Sequence, residues 1–124
     1  MLGQAPIMAF LATLDPTRAR RFYADVLGLR LMSEDPYALV FDAAGTSLRL
    51  QKVDELGPRA FTQLGWRVAD IEAAVDALAA RGVQFQRYHG MEQDARGLWK
   101  TPGGARVAWF KDPDGNTLSL TQHP

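Results

Sequence analysis

Apolar and polar residues follow one another along this chain in two long passages with the same order. The first opens on an apolar run at residues 6–14, which reads as a strand. Asp15 then suits a helix N-cap, and Pro16 the first helical position, where a missing N–H costs nothing. Ala19, Phe22, Tyr23, Val26 and Leu27 recur at i, i+3, i+4, i+7 and i+8, an apolar stripe along a helix that Gly28 ends in a left-handed conformation. Three strands are expected next, at residues 29–33, 37–41 and 47–52, joined through Asp35-Pro36 and Ala44-Gly45.

After a largely polar linker at residues 53–60 the order begins again. A strand is expected at 61–68, a cap at Asp70, and a helix from Ile71 with Ile71, Ala74, Val75 and Leu78 on one face and Gly82 at its end. Strands follow at 83–88, 105–111 and 116–122. The last two are joined by Asp112-Pro113-Asp114-Gly115, where Pro pre-sets its dihedral and Gly takes positive φ. The chain is therefore β-α-β-β-β twice, an α+β pattern expected when a half cannot bury its own apolar face alone. Superposing Asp15 on Asp70 and Gly45 on Gly115 pairs Met8 with Gln63 and Arg49 with Ser119. Residues 86–104, which include HGMEQDARGLWKTPGG, have no counterpart in the first half and are long enough for a lid or binding loop.

Composition narrows the function. A chain of 124 residues fits one domain or two small modules sharing a core. The formal charge is zero and no block of like charge occurs, which argues against nucleic acid or an anionic membrane as principal partner. The absence of cysteine removes disulfides, thiolate nucleophiles and Cys-ligated metals. The opening apolar stretch has no basic flank and breaks at Asp15-Pro16, and no segment is long enough to span a bilayer, so a cytoplasmic location is expected. His89 and His123 lack HxxxH or HxE spacing, Gly103-Gly104 lacks the context of a phosphate loop, and no serine sits in a nucleophile elbow.

The segments DPTRARRFYADVLGLRL (15–31) and VAWFKDPDGNTLSL (107–120), with the repeat around them, resemble the vicinal oxygen chelate superfamily. That superfamily includes glyoxalase I, extradiol dioxygenases, fosfomycin-resistance enzymes and bleomycin-resistance proteins. The resemblance covers nearly the whole chain and implies a single domain over residues 1–124, with modules at 5–53 and 61–122. It also implies that the two βαβββ modules curl into half-barrels forming a cup. Metal-dependent members place a ligand on the first and last strand of each module, and the usual set is close to His, Glu, His, Glu. Here those positions carry Met8, Arg49, Gln63 and Ser119, of which only Gln63 could ligate a hard or borderline ion. No metal and no cofactor is therefore expected.

If the four equivalents face the cup, alternation adds Phe10, Ala12, Gln51, Gly65, Arg67 and Thr121 to the same side. Leu48, Leu50, Leu64, Trp66, Val68, Leu118 and Leu120 then lie under the helices. By resemblance to glyoxalase I, Val107 and Trp109 line a hydrophobic pocket, and Tyr88, His89 and Trp99 of the long loop could close it. Arg49 on a concave face requires an anion. Its partner would be an internal carboxylate, for instance Glu34 or Asp42, or a carboxylate, phosphate or enolate of a ligand. The expected function is metal-free binding of a small amphipathic or aromatic molecule, as in bleomycin-resistance proteins. The alternatives are a metal-dependent lyase or dioxygenase, or a metal-free enzyme using Arg49. A homodimer is expected, because family members cover open strand edges with a second chain.

Overall fold

Two aspartates open the two helices in the same way. Asp15 Oδ1 accepts a hydrogen bond from the Arg18 amide at 3.1 Å, and Asp70 Oδ1 accepts one from the Ala73 amide at 3.0 Å. Both residues are extended, so each turns the chain from a strand into a helix while satisfying an orphan amide. The computed structural model describes residues 1–124, which divide into two units, Met1–Pro58 and Arg59–Pro124. No helix is long and apolar enough to cross a membrane.

In the first unit, β1 (Met8–Thr13) leads to α1 (Pro16–Arg20), followed by β2 (Arg30–Glu34), β3 (Ala38–Ala43) and β4 (Thr46–Lys52). The sheet order is β1-β4-β3-β2, with β1 parallel to β4 and the other pairs antiparallel. The apolar stripe predicts one continuous α-helix, but Arg21–Val26 widens into π-type turns, with the Leu27 amide bonded to the Phe22 carbonyl at 2.9 Å. The widening falls at the bulky Phe22-Tyr23 pair, whose rings meet edge-on at 5.2 Å. It seats Tyr23, fully buried, 5.8 Å from the ring of Phe41. Leu11, Leu39, Phe41, Leu48 and Leu50 are buried, and the register places all five on one face of the sheet. Left-handed Ala44 (φ 50°) and Gly45 (φ 91°) make the tight turn from β3 to β4.

The second unit runs β5 (Thr62–Arg67), α2 (Ile71–Ala80), β6 (Trp99–Lys100), β7 (Arg106–Lys111) and β8 (Thr117–Gln122), in sheet order β5-β8-β7-β6. Ile71, Val75, Ala108, Phe110, Leu118 and Leu120 form its buried core, and Leu64, Trp66 and Val68 are half-buried beside it. The β7–β8 turn is rigid. Asp112 Oδ1 accepts from the amides of Asp114 and Asn116, both at 2.9 Å, and Asp112 Oδ2 accepts from Asn116 Nδ2 at 2.7 Å.

One expected strand is not formed. Residues 83–88 touch the sheet through a single bridge, Phe85 to Phe110, and through the Gln86 amide donating to the Trp109 carbonyl at 2.8 Å. The chain then leaves and returns as β6, which pairs with β7 at Trp99–Val107 and Lys100–Arg106. Two short segments thus share one edge of β7, and the long loop is the excursion between them. The excursion includes buried, left-handed Gly97 (φ 88°), where a Cβ would lie 3.4 Å from that of Phe85.

Candidate functional site

The residues picked out by alternation fall on the sheet faces opposite the buried cores, one set in each unit. In the first unit Phe10 lies directly across from Arg49, which lies across from Val40 on its other side. Met8 and Phe10 keep 53% and 52% of their surface exposed, and Arg49 is half-buried between them and the next strand. Neither Glu34 nor Asp42, the two examples of an internal partner, pairs with Arg49. Glu34 is occupied by Lys52 at 2.7 Å and Arg20 at 3.6 Å, and Asp42 Oδ1 accepts from the Gly45 amide at 3.1 Å in the β3–β4 turn. The charge of Arg49 is felt instead at Asp35, whose carboxyl is held below its usual pKa first by the amides of Tyr37 and Ala38, then by Arg49 and Lys52. No ion pair reaches Arg49 itself, which the register places on the same sheet face as Phe10 and Val40.

In the second unit the register aligns Gly65, Ser119 and Trp109 across three strands, with Val107 and Trp99 on the same face. Trp109 is fixed by its indole N–H, which donates to Thr62 Oγ1 at 3.0 Å. Tyr88 stands edge-on to it at 5.6 Å and 86°, and Trp99 lies tilted at 6.2 Å and 33°. Burial pushes the Tyr88 phenol above its usual pKa. Three aromatic residues from β7, β6 and the long loop therefore form one patch, with Trp99 and Trp109 half-buried and Tyr88 exposed at its edge.

Gln63 behaves differently from its assigned place. The β5–β8 pairing slips between Thr62 and Leu64, making Gln63 the extra residue of a β-bulge. Its side-chain carbonyl accepts the Thr117 amide at 2.8 Å, replacing the ladder bond that the bulge breaks. The amide oxygen counted as the sole available metal ligand is thus committed to the backbone. With Met8 soft, Arg49 cationic and Ser119 neutral, the residues at these four positions do not fit a divalent ion. No cluster of three or more His, Cys, Asp or Glu side chains is assembled elsewhere.

The long loop is internally braced. Gln93 Nε2 donates to the carbonyls of Gln86 and Gly97, both at 2.9 Å, and Gln93 Oε1 accepts from the Tyr88 amide at 2.8 Å. Arg87 reaches the carbonyls of Gln93 and Ala95. Asp94 Oδ1 accepts from the amides of Arg96 and Leu98, both at 2.9 Å. Arg96 then clips the loop to α2: its guanidinium grips Asp76 through two bonds at 2.9 and 3.1 Å and Glu72 at 3.0 Å. His89 is exposed at the loop tip. Thr62, Gln93 and Arg96 are the residues that sequence reasoning left unassigned to the site, and no local pattern marks them. Gly65, which alternation placed on the cup side, does carry a local signal, since a glycine within a strand pattern marks a bulge or a close approach.

A further groove, about 450 Å³ in volume and open to solvent, lies in the first unit and is lined by Thr17, Arg20, Arg21, Ala24, Asp25 and Leu31. It includes none of the aromatic residues described above.

Comparison with known proteins gives a consistent picture. The sequence profile described as Glyoxalase/Bleomycin resistance protein/Dioxygenase superfamily matches residues 5–120. A superfamily member from Sphaerobacter thermophilus DSM 20745 is 25% identical, with 99% of this chain and 100% of that one covered and a TM-score of 0.77. TnmS3, an antibiotic binding protein from Streptomyces sp. CB03234, is 27% identical, with 98% of each chain covered and a TM-score of 0.71. TioX from Micromonospora sp. ML1, 21% identical with 97% and 99% covered and a TM-score of 0.75, shares the fold. No curated protein shows significant sequence similarity to this chain.

Proposed function

This chain belongs to the Glyoxalase/Bleomycin resistance protein/Dioxygenase superfamily, and within it we propose that the protein binds a small aromatic or amphipathic molecule without a metal ion. The observation that carries this reading is Trp109, an indole pinned by Thr62 and flanked by Tyr88 and Trp99 on a face that the core does not use. A fixed aromatic surface binds a flat apolar ligand at low entropic cost, because few rotamers are lost on complex formation. The likeness to an antibiotic binding protein agrees with sequestration rather than turnover. The donor set supports metal independence: one soft thioether, one cation, one neutral hydroxyl and one amide oxygen already in use.

Equilibrium dialysis with 2-naphthol tests the reading. Trp109→Ala should weaken binding by roughly 2 kcal/mol or more if the indole is the anchor. A strong chelator should leave the wild-type affinity unchanged. An unaltered affinity in Trp109→Ala, or binding that requires an added divalent ion, refutes it.

A further inference from the structure

Ser119 sits in the middle of β8, across from Gly65 on one side and Trp109 on the other. The residue is only 7% exposed, yet its hydroxyl has no hydrogen-bond partner within the protein. It is not among the polar atoms sealed from solvent without a partner, so its tip opens onto the sheet surface. A hydroxyl this deeply set is normally satisfied by the protein, since an unmet one costs free energy.

Gly65 explains how the hydroxyl is placed. A Cβ on Gly65 would stand 2.5 Å from Ser119 Oγ, so the hydroxyl leans over the glycine into space that any other residue would fill. Gly65 itself is exposed, which leaves the approach above it open. Cross-strand neighbours hold their Cβ atoms about 4.5–5.5 Å apart, so a ring packed on Trp109 brings its edge within reach of Ser119. Arg67 and Lys111 lie on the same face by register, and no strand residue of that face is a carboxylate.

We propose that Ser119, leaning over Gly65, is the oxygen-recognising point of the Trp109 face, and that the ligand is a planar aromatic molecule bearing an acidic oxygen, a phenol or an aromatic carboxylate. The inference rests on the binding reading above and names its ligand class. The serine hydroxyl donates to the ligand oxygen, and the two cations favour its electron-rich or ionised form.

Two probes of nearly equal shape, 2-naphthol and 2-methylnaphthalene, separate the contributions by equilibrium dialysis. Wild type should prefer 2-naphthol by roughly tenfold, the scale of one satisfied hydrogen bond. Ser119→Ala should erase that preference by weakening 2-naphthol while leaving 2-methylnaphthalene unchanged. Gly65→Ala should lower both the preference and the thermal midpoint, and Gly65→Ala/Ser119→Ala should recover the midpoint without the preference. Equal binding of the two probes by wild type, or a preference that survives Ser119→Ala, overturns the inference. If 2-methylnaphthalene still binds and is weakened by Trp109→Ala, the aromatic-binding reading stands without it. If neither probe binds, both fall together.

Discussion

Gln63 shows how much one side chain can depend on a neighbour that hydropathy does not reveal. Its carbonyl oxygen takes the Thr117 amide where the bulge interrupts the ladder. Gln63→Ala would strand that partly buried donor, and chemical denaturation should show a loss of about 1–2 kcal/mol. Gln63→Glu keeps an acceptor at the same reach and should fall much closer to wild type. Superposing Asp15 on Asp70 and the family resemblance assigned Gln63 to the cup side, and the bulge escaped that count because an extra residue leaves no trace in the apolar pattern before the partner strand is known. Thr62 escaped notice for a related reason: its value lies in meeting Trp109, 47 positions away in sequence. Arg49 and Ser119 were picked out by superposing the Gly-turns and by the family resemblance, Trp109 by the resemblance alone, and the register puts each on the sheet face opposite its core. The partner of Arg49 was not legible, since Glu34 and Asp42 were already occupied by contacts that only the folded unit defines.

At the level of elements, the caps, the two helix starts and the strand order were readable from periodicity and turn chemistry. The segment at residues 83–88 was not. Its alternation suits a strand, but the edge of β7 is shared with β6, so only Phe85 bridges. The loop between those two contacts is fastened through Arg96, and its behaviour should follow electrostatics. The Arg96 hydrogen bond holds the Asp76 carboxyl below its usual pKa, so the folded value lies under the unfolded one. The clip is therefore complete above the ordinary carboxylate range and is lost as pH falls through the lowered value. Limited proteolysis within residues 89–97 should be slow at neutral pH and faster in acid. At neutral pH it should also rise in about 0.5 M salt, which screens exposed charges, and in Arg96→Ala, whose excess over wild type should vanish in acid. An Arg96→Ala loop as resistant as wild type would show that Gln93 and Asp94 brace it alone.

For the whole molecule, the duplication was the most legible property, because both halves use the same cap, the same Gly-turns and the same strand sequence. The two copies have since diverged in chemistry: one sheet presents Met8, Phe10 and an unpaired Arg49, the other an aromatic patch with Ser119. Ile7, Met8, Phe10, Met32 and Tyr37 are each more than half exposed on the first unit. A homodimer that covers some of them is the expected solution state, and light scattering at micromolar concentration should give twice the chain mass. A stable monomer there would rule the dimer out without touching the fold.

The bulge at Gln63 also bears on which mutations could give this chain a metal ligand. Glutamine codons lie one base from both glutamate and histidine, the two ligand types such a position would need. Glutamate can give one oxygen to the Thr117 amide and keep the other free, so that step preserves the stitch. Histidine presents no carboxylate oxygen, and taking up a metal would claim the single imidazole nitrogen able to accept from the amide. Selection for a bound ion would thus meet an asymmetric landscape at residue 63, with the acidic route open and the imidazole route costing backbone satisfaction.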